Sequence, residues 1–243
     1  MQTPWCTRGD EASIKGPGNR GSIIKKDVTK VSHMPLMVDV GGKSIVIIGG
    51  GNVAERRVSL FLKQAAYITV VSPEVAPSLR SMADAGQIYW RKKCFDVKDI
   101  QHAFIIVAAT NNEALNQTIC QSASPYTLVN NASDAKGGTL HIPAHFQQGK
   151  LSISVSTNGA SPMLTSKIKN DLKSQYDEQY GDYVDFLYEM RQFMKQTSFI
   201  KQEQRKILQS LLSDEYLDKD RQKEISNWLK RKTGRNDSHE RFS

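Results

Sequence analysis

Between Met34 and Pro143 short β-branched apolar runs alternate with stretches of helical spacing. Ser44–Gly50 (SIVIIGG) and Tyr67–Pro73 (YITVVSP) read as strands, rich in valine and isoleucine and stopped by glycine or proline. Between them, Val53–Gln64 carries Val53, Arg57, Leu60 and Phe61 at helical spacing, which completes a βαβ unit. Gln87–Cys94 reads as a third strand, Ala103–Thr110 as a fourth and Tyr126–Asn131 as a fifth, with a helix over Glu113–Ala123 between the last two. Runs such as IIVAA have no polar alternation, as expected of a parallel strand covered on both faces. The predicted class is α/β, with a Rossmann-like parallel sheet leading the fold.

Beyond Pro143 the pattern changes. Lys150–Pro162 alternates like a half-exposed strand and breaks at Asn158-Gly159, a tight turn that either lets backbone approach a ligand or partner or is a plain turn. From Met163 the spacing becomes helical: Tyr180, Tyr183, Val184, Leu187, Met190 and Met194 share one face, and Ile207–Leu212 and Ile225–Leu229 mark two later helices. The organisation read from these textures is a leader over 1–33, a nucleotide-binding domain over 34–143, a second unit over 144–178 and a small helical domain over 179–243. Its polar tail, Lys232–Ser243, is expected to fray. The leader shows neither strand nor helix periodicity and is expected to be disordered.

Composition narrows the function classes. The formal charge is +8 over 243 residues, but Met1–His33 already holds six Lys/Arg against three Asp/Glu, and the remaining excess is modest. With no compact basic run interleaved with aromatics, a nucleic-acid surface is not expected, and an acidic small-molecule substrate suits the charge equally well. Cys6, Cys94 and Cys120 are too few and too scattered for a disulfide framework or zinc cluster. No apolar run approaches the roughly 20 residues that cross a bilayer, so no membrane association is expected and the cytoplasm is the expected location.

The chemistry concentrates in Val46–Arg57 (VIIGGGNVAERR). Gly49, Gly51 and Ala54 match G-x-G-x-x-A, in which glycines permit a tight strand-to-helix turn and close backbone approach to a pyrophosphate. The helix that follows would aim its free N–H groups at the phosphates. After the second strand come Ser72, Pro73 and Glu74: either Glu74 reaches the adenosine ribose, or Ser72 and backbone groups do. No arginine follows that strand to pair with a 2′-phosphate, so NAD is expected rather than NADP. Thr110 and Asn111, at the carboxyl end of the fourth strand, either line the nicotinamide side or form a plain loop. His141 and His145 are four apart, but Pro143 between them argues against a helix, and no metal site is expected.

Five motifs together, GGGNVAERR, VVSPE, VAATNNEALNQ, VNNASDAKGGTLHIPA and VSTNGASPMLTSKIK, resemble the precorrin-2 dehydrogenase and sirohaem synthase family over about Met34–Met194. The resemblance implies NAD-dependent oxidation of precorrin-2 to sirohydrochlorin, with or without ferrochelatase activity, in a homodimer whose 144–178 segment is the dimerisation region. It implies that Asn52 and Val53 lie on the pyrophosphate side of the cofactor. The family's catalytic aspartate falls, by spacing from Pro143, on Ser133, with Asp134 next; either Asp134 takes over the acid/base role or Ser133 occupies the site and the carboxylate function is weakened. Lys136, Lys150, Lys167 and Lys169 are candidates to meet the substrate's carboxylates. Two other classes stay open: an NAD-sensing regulatory module without turnover, and a tetrapyrrole metal chelatase without redox chemistry.

Overall fold

Five β-branched segments pair side by side in parallel: β1 (Ser44–Ile48), β2 (Tyr67–Val71), β3 (Tyr89–Arg91), β4 (Ile105–Ala108) and β5 (Leu128–Asn131), in the order β3-β2-β1-β4-β5. The computed structural model describes residues 33–134 and 137–234. The expected leader, apart from His33, and the tail beyond 234 lie outside the described residues, as does Lys136. The chain divides into Met1–Met37 and Val38–Ser243, and among the described residues every helix and strand belongs to the second unit.

Alternate residues of the strands serve two cores. Ile45, Ile47, Ile105 and Val107 pack with Ala54, Val58 and Phe61 of α1 (Asn52–Leu62) and Leu79 of α2 (Pro77–Asp84). Val46, Ile48, Ile106 and Ala108 pack with Ile119 of α3 (Glu113–Ser122) on the other face. This double covering is why the runs lack polar alternation, and each fully buried aliphatic side chain contributes about 1.5–3 kcal/mol. The chain builds outward from β1 to β3 and then returns to β4 on the far side of β1. The connections therefore part at the β1/β4 boundary, where open α/β sheets bind ligands.

Two local expectations change, and one helix goes unread. The buried stripe of α1 is Ala54, Val58 and Phe61, one residue away from the predicted face, and Val53 is 46% exposed. The preceding glycine turn sets the helix phase, and it turns Ala54 toward the sheet. The segment over α2 has a single buried apolar residue, Leu79, too weak a period to read, although Pro77 suits a first helical turn. β3 shrinks to three residues because its chain leaves the sheet at Lys92 and turns toward Asp99.

That turn is fastened by charge. The Asp99 side chain, 3% exposed, accepts from Arg91 Nη1 at 3.0 Å and Lys93 Nζ at 2.9 Å, and its second oxygen accepts from the Asp96 N–H at 2.9 Å. Burial alone would raise the Asp99 carboxyl, but the hydrogen bonds from Lys93, the Asp96 amide and Arg91 outweigh it and hold the group below its ordinary value.

After the sheet, β6 (Ala144–Gln148) and β7 (Leu151–Val155) form an antiparallel hairpin with Phe146 opposite Ile153. The strand expected over Lys150–Pro162 thus ends at Val155, and its partner β6 buries only Phe146, which left it unread. Asn158 and Gly159 turn with φ of 50° and 84°, and Ser161 caps α4 (Pro162–Gln175) by accepting from the Leu164 N–H. The helices α5 (Glu178–Lys195), α6 (Lys201–Ser210) and α7 (Lys219–Lys232) enclose a third core of Tyr183, Phe186, Met190, Met194, Leu211 and Leu229. Phe186 takes the buried place expected of Val184, which is only half-buried. The Lys150 N–H donates to Asp185 Oδ1 at 3.1 Å and ties the hairpin turn to α5. Among the described residues no helix is long and apolar enough to cross a membrane.

Two measurements follow from this packing. Tyr183 donates its buried hydroxyl to the Leu211 carbonyl at 2.8 Å, so Tyr183→Phe is expected to lower stability in urea by about 1 kcal/mol. Because the Asp99 carboxyl is depressed on folding, its contribution is complete above the ordinary carboxylate range and disappears as pH falls through the folded value. The stability gap between the native protein and Asp99→Asn should therefore stay flat above about pH 5 and close below about pH 4.

Candidate functional site

The carboxyl ends of β1, β2 and β4 surround a cavity of about 490 Å³, within the size range of small-molecule sites. Gly49, Gly50 and Gly51 form its floor, Ser72, Pro73, Glu74 and Val75 one wall, and Ala109, Thr110 and Asn111 the opposite wall, with Cys94, Phe95 and Leu115 closing the sides.

The glycines are required by their neighbours. Gly49 has φ of 120°, and a Cβ there would run into the Ala109 carbonyl oxygen; one at Gly50 would run into that of Glu74. Three backbone bonds hold this close approach: Gly49 N–H to the Val71 carbonyl at 3.0 Å, Ala109 N–H to that of Ile48 at 2.8 Å, and Ala76 N–H to that of Gly50 at 2.8 Å. Gly51 differs, because a Cβ there would meet nothing within 4 Å. It is the N-cap of α1 and offers no side-chain cap, so the first-turn N–H groups face the open side with the positive end of the helix dipole. This cradle fits a diphosphate, whose oxygens would supply the missing acceptors.

Gly49, Gly51, Ser72, Pro73, Glu74, Thr110 and Asn111 all line the one cavity. Asn52 and Val53 do not; they are exposed in the first turn of α1, beside Gly51. The buried Ser72 donates its hydroxyl to the Glu74 carbonyl at 2.6 Å, which shapes the turn, while the Glu74 side chain is exposed. Thr110 is held by Asn116, which is fully buried in α3. Asn116 Oδ1 accepts from the Thr110 N–H at 3.1 Å and its hydroxyl at 2.8 Å, and Nδ2 donates to the Thr110 carbonyl at 3.0 Å.

The same Nδ2 donates to Ser133 Oγ at 3.0 Å, so one side chain links the cavity wall to the segment after β5. Ser133 is exposed and Asp134 half-buried, and neither lines the cavity. Asn131 Oδ1 accepts from the N–H and hydroxyl of Ser133 at 3.1 and 2.9 Å and from the Asp134 N–H at 3.3 Å. Asn131 Nδ2 is buried with no hydrogen-bond partner among the described residues. Burial pushes the Cys120 thiol up, and the charge of Asp134 adds to that.

Gly50, Asn116 and Asn131 went unread in the sequence, as did Cys94 and Phe95. For the asparagines the only signal was a polar residue in an otherwise apolar helix face or strand. Lys150 places Nζ 4.5 Å from the centre of the Tyr188 ring, whereas Lys167 is exposed and Lys169 half-buried on α4. His145 Nδ1 stands 3.0 Å from the Pro143 carbonyl, and among the described residues no group of three or more His, Cys, Asp or Glu could hold a metal.

Known proteins resemble this chain along most of its length. Residues 36–144 match a family described as "Putative NAD(P)-binding", residues 148–175 the sirohaem biosynthesis protein central family, and residues 180–225 the SirC C-terminal domain. The precorrin-2 dehydrogenase of Priestia megaterium is 40% identical over 181 residues, 74% of this chain and 90% of that protein. That of Bacillus subtilis (strain 168) is 40% identical over 158 residues, 65% of this chain and 98% of its own. A solved structure, SirC, precorrin-2 dehydrogenase, superposes with a TM-score of 0.74 and 36% identity, over 82% of this chain and all of that one.

The Asn116 network predicts a specific loss. Asn116→Ala strands the Thr110 amide and frees Ser133 Oγ, which should cost about 1–3 kcal/mol and speed hydrogen exchange at Thr110 and Ser133 ahead of the β1 amides. Uniform protection across all three positions would contradict the link.

Proposed function

The chain belongs to the precorrin-2 dehydrogenase family, and from that premise we propose that it oxidises precorrin-2 to sirohydrochlorin with NAD, on the route to sirohaem. The observation that carries this reading is the cradle of Gly49–Gly51, where α1 begins without a side-chain cap at the switch point of the sheet. Bound NAD supplies the hydride acceptor. The chain's own tasks are to seat the diphosphate on the first turn of α1, with Asn52 and Val53 beside it, and to leave the ribose to Glu74. Ser72 is already committed to the Glu74 carbonyl, which favours the carboxylate over the hydroxyl for that role.

Thr110 and Asn111 form the wall that orients the nicotinamide end, fixed through Asn116. The oxidation removes a hydride and a proton from the tetrapyrrole, so a proton acceptor is needed beside the hydride acceptor. In our reading Asp134 provides it, with Ser133 holding its segment to Asn116. Lys167 and Lys169 stand available for the carboxylates of the substrate.

Homodimer formation is part of the proposal. The 144–178 segment consists of a two-stranded hairpin and α4, which has no buried residue and exposes Met163 and Leu164. A second copy covering this layer would remove that apolar surface from water. The cytoplasm is the proposed setting, supported by the free thiols Cys94 and Cys120.

Purified protein mixed with NAD and precorrin-2 should raise the nicotinamide absorbance, and Gly51→Asp should abolish both that rise and NAD binding by setting a negative side chain against the diphosphate. NAD binding without turnover would favour a regulatory module instead. Asp134→Ala and Ser133→Ala, assayed separately for oxidation and for Fe²⁺ insertion into sirohydrochlorin, should lower oxidation more than tenfold in the aspartate variant. If neither variant changes either rate, the acid/base assignment is wrong.

A further inference from the structure

The carboxyl end of β3 is crowded with positive charge. Register sets Arg91 opposite Val71, and the Arg91 carbonyl accepts from the Ser72 N–H at 3.2 Å, so this arginine stands against the wall that carries Glu74. Lys92 and Lys93 follow it, and Cys94 and Phe95 then line the cavity. Arg80 of α2 lies on the same edge. A 2′-phosphate on the adenosine ribose would favour such cations, arginine most of all.

Every one of these cations is engaged. Arg91 and Lys93 share Asp99 Oδ1 at 3.0 and 2.9 Å; that carboxylate is almost wholly buried, while the two cation side chains stay 41% and 45% exposed, so solvent screens the pairs in part. Arg80 and Lys92 lie over the Trp90 ring, 5.6 and 5.9 Å from its centre, and Trp90 is itself held by its indole N–H to the Ser72 carbonyl at 3.0 Å. Glu74 is exposed at the cavity and repels a phosphate dianion.

Resting on the NAD reading above, we propose that Asp99 is a specificity-determining residue, which selects NAD over NADP by keeping Arg91 and Lys93 in ion pairs beside the ribose end of the cavity. The sequence offers no arginine directly after β2; the cations that could replace it come from the neighbouring strand, and Asp99 withholds them. Asp99 touches no nucleotide in this arrangement. It acts through the two cations and through the Cys94-Phe95 wall that its bond to the Asp96 amide steadies.

Calorimetric titration of the full chain with NAD and NADP tests this without turnover. The native protein should prefer NAD, and Asp99→Asn should narrow the NAD-to-NADP affinity ratio by about tenfold as the cations are released, the size of one charge-assisted hydrogen bond. Asp99→Glu should restore the preference, and adding Lys93→Ala to Asp99→Asn should reverse much of the NADP gain. A folded Asp99→Asn with a ratio within about twofold of native overturns the proposal, as does a native preference for NADP. Should Asp99→Asn not fold, Glu74→Gln at an exposed position decides: an NADP gain under about threefold supports withheld cations, and NADP binding as tight as NAD overturns them. Native protein that binds neither nucleotide removes the dehydrogenase reading and this proposal together, whereas NAD binding with an unchanged ratio removes this one alone.

Discussion

The exit of β1 is squeezed between two neighbours, and most of the site follows from that. Its backbone bonds to Val71 on one side and to Ala109 on the other, and Gly50 is then caught by the Ala76 amide. Satisfying these groups brings three chain segments so close that no side chain fits at Gly49 or Gly50. One residue later the crowding ends: Gly51 faces open space, and α1 begins with its amides uncapped. Tight packing and an open anion cradle are thus adjacent consequences of one strand crossing between two others.

Two buried polar side chains carry this rigidity outward to the loops. Asn116 uses its whole amide to hold Thr110 and to reach Ser133, so the cavity wall after β4 is tied to the segment after β5. Asp99 does the corresponding work at the far edge, where it gathers Arg91, Lys93 and the Asp96 amide around a carboxylate. Each is stable in the interior because its polar atoms are satisfied. Asn131 is the contrast: its oxygen accepts three bonds while its Nδ2 has none among the described residues, next to the segment proposed to handle the proton.

The hairpin and helices are built on a different economy. The α5–α7 core is closed by Met190, Met194, Leu211 and Leu229, and Tyr183 bonds across it. By contrast α4 lies on the hairpin with no residue of its own buried. A helix of this kind draws little stability from its own chain, which is the physical reason to expect a second copy against it.

Element type and order were legible because they depend on neighbours in sequence. Unbroken valine and isoleucine runs require a sheet covered on both faces, and the glycines after β1 restrict the chain wherever it folds. The phase of α1 was not legible, since the glycine turn before it decides that Val53 faces outward and Ala54 inward. β6 escaped because one buried phenylalanine makes no period. Asn116 and Asp99 escaped for a deeper reason: their roles are defined by Thr110, Ser133, Arg91 and Lys93, which meet them only after strands align. The chain by itself determined a parallel α/β sheet with a glycine turn after its first strand. Tertiary structure alone decided which polar side chains are buried and which cations are already engaged, because hydrogen bonds and burial act between neighbours in space.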